Sequence, residues 1–153
     1  FNPDIMPKPA KDFFTDNQKD TIKQAIMNAE LDTSGEIRVH IENQCPGDVM
    51  ERAAFVFNKL QMHKTEKRNG ILFYLAIHHR KFAIIGDKGI NAAVPENYWD
   101  RIKEEMIEKF ADGDFCDGLA DAITETGIQL KKHFPFQTDD VNELSYDLSF
   151  GDN

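Results

Sequence analysis

Ile71-Leu72-Phe73-Tyr74-Leu75-Ala76-Ile77 runs seven residues without a charge, His78-His79-Arg80 interrupts it, and Lys81-Phe82-Ala83-Ile84-Ile85 resumes it. A stretch apolar on both sides of its pleat reads as a strand covered on both faces. So short a connection forces the second run to return antiparallel beside the first. A doubly covered strand belongs inside a sheet with helices on each side, so these fifteen residues predict an α/β fold.

Upstream, Glu36 to Glu42 alternates polar residues with Ile37, Val39 and Ile41, the period of a half-buried strand. Thr15-Asp16-Asn17-Gln18 matches a capping box. The helix it opens runs to about Leu31, with Ile22, Ala25, Ile26 and Ala29 on one face. Asp32-Thr33-Ser34-Gly35 breaks it. Pro46-Gly47-Asp48 starts a second helix that carries Val49, Ala53, Val56, Phe57 and Leu60 on one side. Downstream, Gly86-Asp87-Lys88-Gly89 ends the antiparallel strand. A third helix is expected over 95–110, through Tyr98, Ile102, Met106 and Phe110, and a fourth from Cys116 to about His133, stopped by Phe134-Pro135. The whole predicts a mixed sheet of about four strands with helices on both faces, the 71–77 strand being the most buried.

The chain has 153 residues, 41% hydrophobic and 29% charged, which is the composition of one soluble globular domain. Its longest apolar run is too short to cross a bilayer. Eighteen basic against 27 acidic residues give a net charge of −9, the wrong sign for a phosphate-backbone binder, so nucleic acid is excluded as a partner. Five of the acids (Asp139, Asp140, Glu143, Asp147 and Asp152) lie beyond His133, where no Lys or Arg occurs. Residues 136–153 therefore read as an acidic, mostly irregular tail that docks through Leu144, Tyr146, Leu148 and Phe150, residues 1–10 as an extension, and 11–135 as the domain. Cys45 and Cys116 fit no disulfide framework or metal pattern. With Met6 as the initiator, no export signal is present and the expected location is the cytoplasm. The alternative is a periplasmic or membrane-associated protein whose signal or anchor has been removed. The chain is expected to be monomeric.

Thr33-Ser34-Gly35-Glu36-Ile37-Arg38-Val39, then Asn69-Gly70-Ile71-Leu72, Arg80-Lys81-Phe82-Ala83-Ile84-Ile85-Gly86, Gly89-Ile90 and Phe110-Ala111-Asp112-Gly113-Asp114-Phe115 with Gly118, taken in order, resemble the TPM domain family. The resemblance covers about residues 12–133. It implies an α/β/α sandwich, an acidic divalent-cation site with calcium as the usual ion, and a disputed acid-phosphatase activity known from plant thylakoid relatives.

Asp112, Asp114 and Asp117 share one glycine-containing loop, and Asp87 stands where a buried strand leaves the sheet. Calcium takes about six to eight oxygens, which aspartates and free carbonyls can supply. The loop is not an EF-hand, because Ile123 stands where that motif needs Glu. Against ligation stand two plainer roles, helix capping by Asp114 or Asp117 and an Asx turn at Asp87. The expectation is one Ca2+ site, with Mg2+ as an alternative ion, that draws on Asp87 and Asp114, then Asp112, and least centrally Glu36. If the first two strands are parallel, Asp87, Asp32, Glu36 and the loop ending at Asn69 share one edge. The Asp112 loop joins them only if the third helix crosses the sheet obliquely. His78 and His79 read as solvated turn residues and His40 and His63 as surface groups. No nucleophile motif, P-loop or dinucleotide fingerprint is present. Binding to a divalent cation and through it to a partner protein is therefore the first functional reading. A weak metal-dependent phosphatase, with Lys88 and Arg80 as phosphate contacts, is the alternative.

Overall fold

The computed structural model describes residues 9–136 and 148–151. Two parallel strands, β1 (Glu36–Glu42) and β2 (Gly70–Ala76), lie side by side and are joined through helix α2 (Val49–Lys59). β3 (Lys81–Gly86) returns antiparallel along β2, and the two-residue β4 (Ser149–Phe150) pairs parallel with β1, for a sheet order of β3-β2-β1-β4. All seven residues of β2 are buried, as its unbroken apolar run predicts.

The pleat of β2 divides the core. Ile71, Phe73 and Leu75 face α1 (Asp16–Glu30), α3 (Lys88–Ala93), α4 (Tyr98–Ala111) and α5 (Phe115–His133). Leu72, Tyr74 and Ala76 face α2 instead, together with Ala53, Val56 and Phe57. Helices thus cover both faces, and the fold is the expected three-layer α/β/α sandwich. Among the described residues, no helix is long and apolar enough to cross a membrane.

α1 begins as the sequence predicts. The Gln18 amide donates to the Thr15 hydroxyl at 3.1 Å and the Thr15 amide to the Gln18 side chain at 3.0 Å. Replacing Thr15 by alanine should cost about 1 kcal/mol in urea denaturation, and an unchanged midpoint would mean that the box contributes nothing. α1 and α5 run parallel and touch closely, since a Cβ on Gly127 would lie 2.6 Å from the Ala29 Cβ.

Three elements depart from expectation. α3 forms across a glycine-bearing run that reads as a turn, because the Asp87 side chain caps it and Ile90 anchors it in the core. α4 starts at Tyr98 rather than Pro95, after a turn closed by the Tyr98 amide on the Pro95 carbonyl. The tail contributes β4, and Leu148 docks in the core as expected, but Phe150, expected to dock with it, is exposed, and Leu144 and Tyr146 lie outside the described residues.

Candidate functional site

At the edge where β1 and β2 begin, the parallel crossover brings Glu36, Asp87 and the loop ending at Asn69 together, three members of the group the topology anticipated. Glu36 pairs in register with Gly70, and the Asp87 amide donates to the Gly70 carbonyl at 2.9 Å. Asp87 is buried, and its carboxylate is fully engaged. Arg68 donates Nε to Oδ2 at 2.6 Å and Nη2 to Oδ1 at 2.9 Å, and the Lys88 amide adds a bond to Oδ1 at 2.8 Å. Arg68 holds a left-handed backbone (φ 51°), and its carbonyl accepts from the Gly89 amide at 2.8 Å. A Cβ on Gly89 would lie 2.1 Å from the Lys67 carbonyl oxygen, so only glycine permits this approach. Asp87 therefore clamps the basic loop 64–68 to the start of α3. Glu36 lies against Glu30, whose Oε2 accepts the Ile37 amide at 2.8 Å.

The aspartate loop lies at the other end. α4 starts beside Gly86, where the Trp99 indole donates to Asn91 at 2.8 Å and Asn91 donates to the Gly86 carbonyl at 2.8 Å. It ends with Phe110 packed edge-on against Phe82, 5.2 Å between centroids, at the opposite end of β3. From Trp99 to Phe110 the helix rises about 16 Å. Oxygens on one calcium ion lie within about 5 Å of each other. The single site expected from Asp87, Asp114, Asp112 and Glu36 thus separates into two places, Asp87 with Glu36 at one edge and Asp112 with Asp114 at the other. The cause is the course of α4, which follows the full length of the strand instead of crossing it.

Around Gly113 (φ 82°) the chain turns from α4 into α5. Asp112 closes α4, and Asp114 occupies the N-cap position of α5 without a side-chain capping bond. With Asp117 in the first turn, three exposed carboxylates surround this turn. The N-terminal end of α1 stands alongside, and Asn17, Gln18 and Thr21 share a shallow hollow with residues 113–117. Lys109 is drawn to Asp121, 2.5 Å from Nζ to Oδ2, which with Asp117 and Asp114 holds the ammonium above its ordinary range. Among the described residues, no three His, Cys, Asp or Glu side chains are already gathered as a metal centre.

A third cluster escaped the sequence reading. At the carboxyl end of β1, Glu42 is almost wholly buried. It accepts from Arg52 of α2 through Nε at 2.9 Å and Nη2 at 2.5 Å, and from the Tyr74 hydroxyl at 2.5 Å. Burial works to raise the Glu42 carboxyl, but the donors from Arg52 and Tyr74 outweigh it and hold it below the usual range. His40, expected at the surface, is buried. Its Nε2 lies 3.3 Å from Glu42 Oε1 and its Nδ1 2.8 Å from Ser149 Oγ. Burial pushes the imidazole below its ordinary value, against the pull of Glu42. His79, expected to be solvated, is exposed but accepts the Cys45 amide at Nδ1, 2.8 Å away. The available signal was the even-numbered stripe Glu36, Arg38, His40 and Glu42, which a half-buried strand would ordinarily turn to water.

The family model described as the TPM domain matches residues 9–128. The solution structure of the BA42 protein from the psychrophilic bacterium Bizionia argentinensis is similar, with 42% identity, a TM-score of 0.84 and coverage of 92% of this chain and 97% of that one. The N-terminal domain of a P. gingivalis protein matches at 17% identity and TM-score 0.68, covering 82% of this chain and 83% of its own. The N-terminal domain of the Corynebacterium glutamicum cg2496 protein matches at 12% and 0.64, covering 93% and 91%. At those identities the last two show the fold alone. No curated protein matches the chain.

Proposed function

This chain belongs to the TPM domain family, and on that premise we propose that it is a divalent-cation-binding interaction module whose loop 112–117 takes up Ca2+. One observation carries the reading: Asp114 stands at a helix N-cap yet makes no side-chain capping bond, beside the exposed Asp112 and Asp117. The capping role that competed with ligation is therefore not the one Asp114 performs. Three carboxylates and the carbonyls of a glycine turn form a hard-oxygen donor set of the kind calcium takes, and waters complete its coordination. Asp87 and Glu36 have no part in this site.

Metal neutralises the mutual repulsion of the three aspartates and orders the turn between α4 and α5, so a partner protein meets a different surface with and without it. A phosphatase would need in addition a positioned nucleophile and cations for the phosphoryl oxygens. Lys109, the cation beside the loop, is already engaged by Asp121. Binding therefore ranks ahead of the weak metal-dependent phosphatase.

Calorimetric titration with Ca2+ and Mg2+ tests the reading, followed by thermal melts. At free Ca2+ a hundredfold above its dissociation constant, stability should rise by about 2.7 kcal/mol. Asp114→Asn with Asp117→Asn should abolish that gain, whereas Asp87→Asn should lower stability and leave it intact. A melting temperature indifferent to Ca2+ would overturn the proposal. So would a gain lost in Asp87→Asn alone. Metal-dependent turnover of an aryl phosphate, abolished by Asp114→Asn, would put the phosphatase first.

A further inference from the structure

On the α2-facing side of the sheet, Ser149, His40 and Glu42 form a continuous hydrogen-bonded series that belongs to neither acidic edge. His40 and Ser149 are register partners on adjacent strands, and Glu42 follows His40 by two residues and so projects from the same face. Ser149 Oγ lies 2.8 Å from His40 Nδ1, and His40 Nε2 lies 3.3 Å from Glu42 Oε1. We propose that Ser149 is a nucleophilic serine, with His40 as its general base and Glu42 as the carboxylate that positions the base, acting on carboxylic esters.

Chemistry assigns the tautomer. Glu42 is ionised by Arg52 and Tyr74 and can only accept, so His40 Nε2 carries the hydrogen and Nδ1 presents its lone pair to Ser149. The serine hydroxyl has a second acceptor in the Val39 carbonyl, at the longer distance of 3.3 Å. The nearer imidazole takes the proton. Burial keeps His40 neutral and thus able to act as a base. Ser149 is half-buried on the outermost strand. The Gly151 amide donates to the Ile41 carbonyl, so strand alternation turns the Phe150 N–H away from β1. Among the described residues that N–H, on the residue after the nucleophile, has no ladder partner and offers a donor for an oxyanion.

In the step, Ser149 Oγ bonds to the ester carbonyl carbon while its proton passes to His40 Nδ1. The carbon–oxygen bond to the leaving alcohol then breaks, and that alcohol takes the proton from His40. Water, deprotonated by the same nitrogen, attacks the acyl-serine and releases the carboxylic acid, restoring the serine hydroxyl. Ester and water become acid and alcohol, and no redox partner or metal enters.

The test is labelling of the full chain with a fluorophosphonate probe in the presence of a chelator, read by mass spectrometry. One adduct on Ser149 is expected, absent in Ser149→Ala, and formed about a hundredfold more slowly, or slower still, in His40→Gln. Glu42→Gln should move the midpoint of the labelling rate to lower pH, because the carboxylate that favours the His40 proton is gone. A merely structural Glu42 would leave that midpoint in place and remove it from the relay. No adduct on Ser149, or one whose rate is indifferent to His40→Gln, overturns the proposal. Loss of Ca2+ binding with labelling retained would defeat only the metal reading.

Discussion

Glu42→Ala is expected to cost about 2 to 4 kcal/mol, a large part of the stability of an ordinary domain. The larger share comes from what the substitution leaves behind. Tyr74 is fully buried, and its hydroxyl donates to Glu42, so its loss strands a polar group in the core at about 1 to 3 kcal/mol. Arg52 loses its two bonds to Glu42, but its side chain remains 30% exposed, so water relieves part of that charge and keeps the total below that of a fully buried pair. Tyr74→Phe, which removes donor and hydroxyl together and leaves Glu42 its arginine, should cost less. The measurement is the urea midpoint at constant slope. A loss under about 1 kcal/mol for Glu42→Ala would show that Arg52 and Tyr74 find other partners, and that the network does not hold α2 to the sheet.

The contrast between β1 and β2 shows what pattern can and cannot reveal. β2 was legible because a run apolar on both sides of its pleat has only one stable place, between two layers. α1 was legible through its capping box, which is a local signal. β1 was legible as a strand, but its polar face was not legible as buried, because the groups that satisfy it are distant in sequence. Arg52 comes from α2, Tyr74 from the neighbouring strand and Ser149 from the tail. Only the fold brings these together. β4 was beyond reach for a different reason, since two residues carry no period. The acidic residues were found, but their grouping depended on the path of α4. Helical spacing gave its length and buried face, whereas its direction across the sheet is set by Trp99 packing at Gly86 and Phe110 at Phe82. Asp87 and Asp114 have similar local signatures, an aspartate beside glycine at an element's end. The difference is Arg68, which neutralises one and leaves the other to solvent.

Glu30 should make the protein lose stability as pH rises from the ordinary carboxyl range to about 8, and Glu30→Gln should remove that loss. Desolvation by burial raises the Glu30 carboxyl first, the neighbouring Glu36 raises it further, and the Ile37 amide only partly offsets them, giving a value of about 8. Oε2 accepts the Ile37 N–H, while Oε1 is buried and among the described residues receives no donor. A proton on Oε1, directed to Glu36, satisfies that oxygen and removes the repulsion between two buried carboxylates. The native state then keeps a proton that the unfolded chain has released above its ordinary value of 4.5. With more protons bound in the native state, stability falls with pH, at no more than about 1.4 kcal/mol per unit. The full contribution is present below the ordinary value, is lost progressively up to about 8, and changes no further above it. Glutamine retains a carbonyl for Ile37 and offers an N–H to Glu36, so it reproduces the protonated form at every pH. Subtracting the variant's stability from the parent's across pH 5 to 9 cancels the groups the two share. A falling difference that levels near 8 locates the proton at this junction of α1 and β1. Parallel curves would mean that Glu30 is ionised in the folded protein and that its second oxygen is satisfied in some other way.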